Sequence, residues 1–147
     1  MTRVYVSAVM DATLEQAWSL LRDFGALGSY HPYFEQSTIE GGEPADRIGC
    51  VRNFKVRGGG VIRERLLALS DAENRCRYTI IEVDADWRDY VAEMHLLPIT
   101  EGNKCFGEWW AQWQVPPEQE ADAIVRVEGT FRTFFDCVNQ RFGKRPI

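Results

Sequence analysis

Apolar and polar residues alternate with period two at the start of the chain. Val4, Val6, Ala8 and Met10 share one face and Arg3, Tyr5, Ser7 and Val9 the other, the pattern of a strand. The period then changes. Thr13 with Gln16 three residues on is a capping-box pattern, and Leu14, Ala17, Trp18 and Leu21 share one face of the helix it opens. Gly25 breaks that helix, and a short turn or second helix runs to Tyr30, where His31-Pro32 ends it. From Phe34 the period returns to two. Strands are predicted over 34–40, 49–57, 61–69, 75–83, 88–97 and 105–115. The breaks between them are Gly41-Gly42, Gly58-Gly59-Gly60, Asp71 to Asn74, Val83 to Trp87, and Thr100 to Asn103. Such short connections make hairpins, and together an antiparallel meander. After Pro116-Pro117 the period is helical, with Glu118 and Glu120 at the positive end of the dipole. Val127, Phe131, Phe134 or Phe135, Val138 and Phe142 form its apolar stripe, and Gly143 is the expected C-terminal cap. The layout is α+β: one strongly curved antiparallel sheet wrapped around a long C-terminal helix, with an apolar pocket between them.

Alternation also says which side chains face that helix. On 105–115 the inward set is Cys105, Gly107, Trp109, Ala111, Trp113 and Val115; on 88–97 it is Tyr90, Ala92, Met94 and Leu96. On 75–82 it is Cys76, Tyr78 and Ile80. The hairpin 49–69 differs. Its inward sets are Cys50, Arg52, Phe54 and Val56 against Ile62, Glu64, Leu66 and Ala68, so each carries one charge. The triglycine turn brings Arg52 and Glu64 within about one diagonal step. A charge among apolar neighbours is costly unless paired. The pair is a structural device that fixes hairpin register, or the polar end of a ligand pocket, or, with the faces assigned the other way, two solvated charges. A pocket would gather Arg52, Phe54, Glu64, Tyr78, Tyr90, Met94, Trp109, Trp113, Phe131 and Phe135, with small Ala92, Ala111 and Gly129 leaving room. Apolar walls with few polar groups suit a small organic molecule. The binding reading predicts a cavity lined by Arg52, Glu64, Tyr90 and Trp109 and large enough for a drug-sized ligand.

Length and composition narrow the rest. The 147 residues, without repeat, linker or low-complexity tract, read as a single domain over 1–147. Hydrophobic residues at 45% and charged residues at 27% place the chain among folded globular proteins. A net charge of −5 with no basic run argues against nucleic acid or an anionic membrane as partner. No apolar run approaches the ~18 residues needed for membrane insertion, and the N-terminus lacks the pattern of a signal peptide. Cys50, Cys76, Cys105 and Cys137 are far apart and form no C-x-x-C. They read as reduced packing residues of a cytoplasmic protein.

At this point the chain resembles the START/birch-pollen-allergen-like (SRPBCC) superfamily, in its branch of polyketide cyclase/dehydrase and lipid-transport proteins. The carriers are Ala12 to Trp18 after the first strand, Gly49-Cys50-Val51-Arg52, Glu64-Arg65-Leu66-Leu67 with Asp71, Tyr78 to Glu82, and Tyr90. Their order and spacing hold along nearly the whole chain. The resemblance implies a helix-grip fold with seven strands, two short helices after the first strand, and a ligand cavity. Carried over by position from the related plant hormone receptors, Arg52, Glu64 and Tyr90 would surround that cavity. Those receptors close it with a longer gate loop where this chain has only Gly58-Gly59-Gly60. The better lid is then Asp84 to Trp87, with Trp87 capping the entrance and joining the ligand-binding set.

The inventory for catalysis is thin. His31 precedes a proline in a turn, His95 falls on an outward face, and neither has a Ser or Cys nucleophile at a recognisable spacing. There is no H-E-x-x-H, no Walker loop and no G-x-G-x-x-G opening a helix, so neither metal nor cofactor is expected. Binding or transport of a small hydrophobic molecule is the leading reading. In the alternative, a polyketide cyclase or aromatase-type enzyme, Glu64 serves as a base if desolvation raises its pKa, and Arg52 stabilises an enolate. Their pairing cuts against that role, because an adjacent cation favours the carboxylate. A third reading is a protein-partner or chaperone-like module, with outward-facing Trp110 as the anchor of a homodimer.

Overall fold

The structure, a computed structural model, describes residues 1–143, so the last four residues of the expected 1–147 domain lie outside the described residues. In chain order the elements are β1 (Thr2–Met10), α1 (Leu14–Leu21), α2 (Leu27–Tyr30), β2 (Phe34–Ile39), β3 (Val51–Val56), β4 (Val61–Ser70), β5 (Arg75–Glu82), β6 (Arg88–Ile99), β7 (Lys104–Gln114) and α3 (Glu120–Phe142). All seven strands form one sheet in the order β1-β7-β6-β5-β4-β3-β2, antiparallel throughout. The two short helices carry the chain from β1 at one edge to β2 at the other. The meander then returns to β1, and α3 crosses the concave face. This is the helix-grip fold.

Local chemistry explains the punctuation. Thr13 Oγ1 accepts from the Gln16 amide at 3.1 Å and the Gln16 side chain accepts from the Thr13 amide at 3.0 Å, so two otherwise orphaned donors open α1. The helix then buries Ala17, Trp18, Leu20 and Leu21. Pairing shifts between Glu35 and Thr38, Arg63 and Glu64, Leu66 and Ala68, and Arg88 and Val91 mark β-bulges. Bulges bend strands and increase their twist, which lets the sheet curl around α3.

Several expected boundaries move. The last helix begins at Glu120 after a 3₁₀ turn over Pro117–Gln119 rather than at the diproline. Its stripe uses both Phe134 and Phe135. Gly143 does cap it, its amide donating to the Asn139 carbonyl at 2.8 Å, but with φ −63° and ψ 145° rather than left-handed geometry. On β4 the inward alternation stops at Leu66. The bulge there turns Ala68 outward and lets Leu69 pack on the core instead.

The helix does not lie evenly over the sheet. It packs against β1 and β7. The packing is tight at Gly107, where a Cβ would come within 2.5 Å of Phe135 Cε1 and 2.8 Å of Met10 Cε. Only a residue without a side chain fits there. At the other end of the sheet the helix stands off β3, β4 and β5, and the remaining space is found there.

Candidate ligand cavity

The β3–β4 hairpin supplies the polar centre of this space. Gly60 closes the turn by accepting from the Val56 amide at 2.9 Å. The resulting register sets Arg52 directly opposite Glu64, closer than the diagonal step expected from sequence. Both side chains are buried. Arg52 Nε and Nη2 lie 2.7 and 2.6 Å from the same carboxylate oxygen, Glu64 Oε1. The guanidinium carbon also sits 4.1 Å from the ring centroid of Phe24 and 4.7 Å from that of Tyr78. Burial pushes the Glu64 carboxyl above the usual carboxylate range, and the charge and hydrogen bond of Arg52 oppose that shift.

Around the pair, the sheet contributes Phe34, Phe54, Ile62, Tyr78, Ile80 and Tyr90. Leu27 of α2, Trp87 of the β5–β6 loop, and Arg126, Val127, Thr130, Phe131 and Phe134 of α3 complete the lining. Of the residues expected from sequence, Arg52, Phe54, Glu64, Tyr78, Trp87, Tyr90 and Phe131 are brought together here.

Met94, Trp109, Trp113 and Phe135 are not, although all four point inward as expected. They lie where α3 presses on the sheet, and they are consumed as core. Trp109 stacks on Phe134 at 4.2 Å and on Phe131 at 5.2 Å, and its indole N–H donates to Tyr78 Oη at 3.0 Å. Phe135 covers Gly107, Met94 is 1% exposed, and Trp113 packs under Trp87 and Tyr90 at 5.4 and 5.6 Å.

Sequence reasoning also missed lining residues. Ile62, Ile80, Val127 and Phe134 already belonged to the inward sets and were separable from core only by knowing where the helix lies. Arg126 and Thr130, one helical turn apart, flank the apolar stripe, and a helical projection would have found them. Phe34 and Leu27 carried no comparable signal.

The room between these side chains is about 40 Å³, counted as space for the centres of water molecules. That holds roughly three waters. It is smaller than the drug-sized space expected, because Phe34, Phe54, Trp87 and Phe134 fill much of the interior. A neighbouring groove of about 280 Å³, lined by Pro32, Tyr33, Val56 and Arg57, shares Phe34, Arg126 and Thr130 with the cavity. Arg126 lines both. Its Nη2 donates to Asp84 Oδ1 at 3.0 Å, and its guanidinium carbon lies 5.0 Å from the Trp87 ring centroid. Trp87 in turn stacks on Tyr90 at 6.0 Å. Asp84 accepts from the Gly60 amide at 3.4 Å, so the triglycine turn, the β5–β6 loop and α3 are tied at one point.

The remaining candidates lie elsewhere. Trp110 is half-buried on the outer face of the sheet, donating to Glu93 at 3.3 Å with Arg3 and Arg77 against its ring. His95 faces outward beside Glu108 at 3.2 Å. His31 is fully buried and bridges the α2–β2 connection to α3. No helix among the described residues is long and apolar enough to cross a membrane.

Comparison with known proteins places this geometry. The fold matches XoxI from Bacillus cereus with a TM-score of 0.84 at 24% identity, over 97% of this chain and 96% of that one. A protein from Nitrosospira multiformis matches with a TM-score of 0.82 at 25% identity, over 96% of each chain. Truncated norcoclaurine synthase from Thalictrum flavum shares the fold at a TM-score of 0.74 and 14% identity, over 98% of this chain and 95% of that one. The family model described as polyketide cyclase / dehydrase and lipid transport matches residues 1–143, and the chain therefore belongs to that family.

Proposed function

We propose that the chain is a single ligand-binding domain of the cytoplasm that binds or carries a small hydrophobic organic or lipid-like molecule between α3 and the β3–β6 part of the sheet. One observation carries the reading. An apolar, largely aromatic cavity closes on one buried ion pair and adjoins a surface groove at Phe34, Arg126 and Thr130. Family membership supports a hydrophobic ligand. The present space is too small for one, so entry displaces Arg126, which is tied to Asp84 by a surface ion pair, and Trp87, whose ring the Arg126 guanidinium covers. Titration with the hydrophobic dye N-phenyl-1-naphthylamine tests this. Saturable one-to-one binding is expected, abolished by Thr130→Trp, which plugs the mouth. Binding that never saturates, or that the plug leaves untouched, would end the proposal.

A second reading has its own observation. The Glu64 carboxyl is pushed up by burial, and its Oε2 accepts no hydrogen bond among the described residues. That free oxygen suits proton transfer in an aldol condensation or dehydration, with Arg52 stabilising an enolate. Under this reading Glu64→Gln abolishes turnover and leaves affinity for a neutral substrate near normal. Equal loss of both returns the pair to a binding role.

A further inference from the structure

We propose that the cavity selects a neutral head group that both donates and accepts a hydrogen bond, a phenolic or alcoholic hydroxyl, and rejects a carboxylate. The inference rests on the binding reading above and says which ligands that site takes.

Charge is the first ground. Two cations line the cavity and neither is free. Arg52 is committed to Glu64 Oε1 through two nitrogens, and Arg126 is committed to Asp84 at 3.0 Å. A carboxylate entering here finds no uncompensated positive charge. It would instead approach a second carboxylate in a site where water screens little, and like charges are costly there.

Hydrogen bonding is the second ground. Both short contacts of the pair fall on Oε1, which leaves Glu64 Oε2 without a partner among the described residues. The Tyr90 hydroxyl likewise has none, since the bond at this residue is made by its backbone carbonyl to Thr79. Among the described residues, Trp113 Nε1 is the buried side-chain nitrogen or oxygen that lacks a partner and is also shut off from open space. Glu64 Oε2 and Tyr90 Oη therefore border the cavity that their residues line. A bare acceptor and a hydroxyl that can serve either way thus both line the cavity. A ligand hydroxyl satisfies both, giving its proton to Oε2 and accepting from Tyr90. A carboxylate has no proton for Oε2 and leaves it desolvated and unpaired, the most expensive outcome for a buried polar group. The ring that bears the hydroxyl would lie among Phe34, Phe54 and Phe131.

The test compares 2-naphthol with 2-naphthoate at neutral pH, which share a ring system and differ in the head. Calorimetry gives the affinities, and the indole N–H signal of Trp87, assigned with Trp87→Phe, reports occupancy of the cavity. We expect 2-naphthol to bind at least about tenfold more tightly. In Glu64→Gln the Arg52 charge is left uncompensated, and 2-naphthoate should gain about tenfold while 2-naphthol does not. Tyr90→Phe, which only removes the hydroxyl, should weaken 2-naphthol alone and serves if Glu64→Gln fails to fold. Equal or tighter binding of 2-naphthoate by the wild type, with Trp87 perturbed, overturns the head-group assignment and leaves the cavity reading standing. An unchanged preference in Glu64→Gln overturns it as well. If neither compound perturbs Trp87, the cavity reading itself falls and the inference with it.

Discussion

Acidification from pH 7 to pH 5 should weaken the fold through His31. The imidazole is 1% exposed and packed against Phe34 and Phe134, each with its ring centroid 4.6 Å away. Nε2 lies 3.0 Å from the Thr130 carbonyl, and Nδ1 accepts from the Tyr33 amide at 3.2 Å. That pattern fixes the neutral tautomer with its proton on Nε2, because a proton on Nδ1 would face the Tyr33 N–H. Burial is the main force holding the pKa down to about 4 from the ordinary 6.5, with the Arg52 charge adding to it and the Thr130 bond opposing it. A base with a lowered pKa in the fold takes up its proton preferentially in the unfolded chain. Its contribution to stability is complete above pH 6.5 and is lost as pH falls toward 4. Linkage gives a loss of about 2 kcal/mol at pH 5 and about 3 kcal/mol once the lower pKa is passed. Glu64, whose pKa is raised, acts with the opposite sign, so the useful quantity is a difference. Urea unfolding of wild type and His31→Gln at each half pH unit isolates the histidine. The gap between the two proteins should narrow by about 2 kcal/mol between pH 7 and pH 5. Parallel curves, or an NMR titration of His31 near 6.5, would refute the reasoning.

Gly107→Ala should destabilise by about 1–3 kcal/mol, since the new methyl meets both Phe135 and Met10. Calorimetric melting checks it, and Phe135→Leu in the same chain should return part of the loss. Arg126→Ala removes the Asp84 tie and the cover over Trp87, and should speed ligand entry and acrylamide quenching at Trp87 while costing less than about 1 kcal/mol of stability. Arg52→Met alone strands the Glu64 charge and should cost about 3–5 kcal/mol, whereas Arg52→Met with Glu64→Leu should be near neutral in denaturant unfolding. If the double replacement unfolds as readily as the single one, the pair is needed for the register of the hairpin and not merely tolerated within it.

Whether that pair is structural or a ligand contact marks the boundary of what the chain reveals on its own. Period-two alternation interrupted by short breaks was enough to read the sheet, because each strand must bury one face. The capping box at Thr13 announced α1 because its two bonds are local. Arg52 and Glu64 stood out because a charge on an inward face has to be answered by another. Alternation says which face a side chain takes and is silent on how far away the opposing layer lies. Trp109, Trp113, Met94 and Phe135 obey the same pattern as Tyr78, Tyr90 and Phe54, yet the first four are core and the last three line the cavity. The difference is where α3 lies: it packs on β1 and β7, with Phe135 over Gly107, and the cavity lies toward β3 to β6. The bulge after Leu66 escaped notice for a related reason. It adds one residue without changing composition, and only the pairing of Leu69 with Cys76 betrays it. His31 was legible as a residue before proline, but its partner, the Thr130 carbonyl, lies 99 positions later in the chain, a contact that no local pattern encodes.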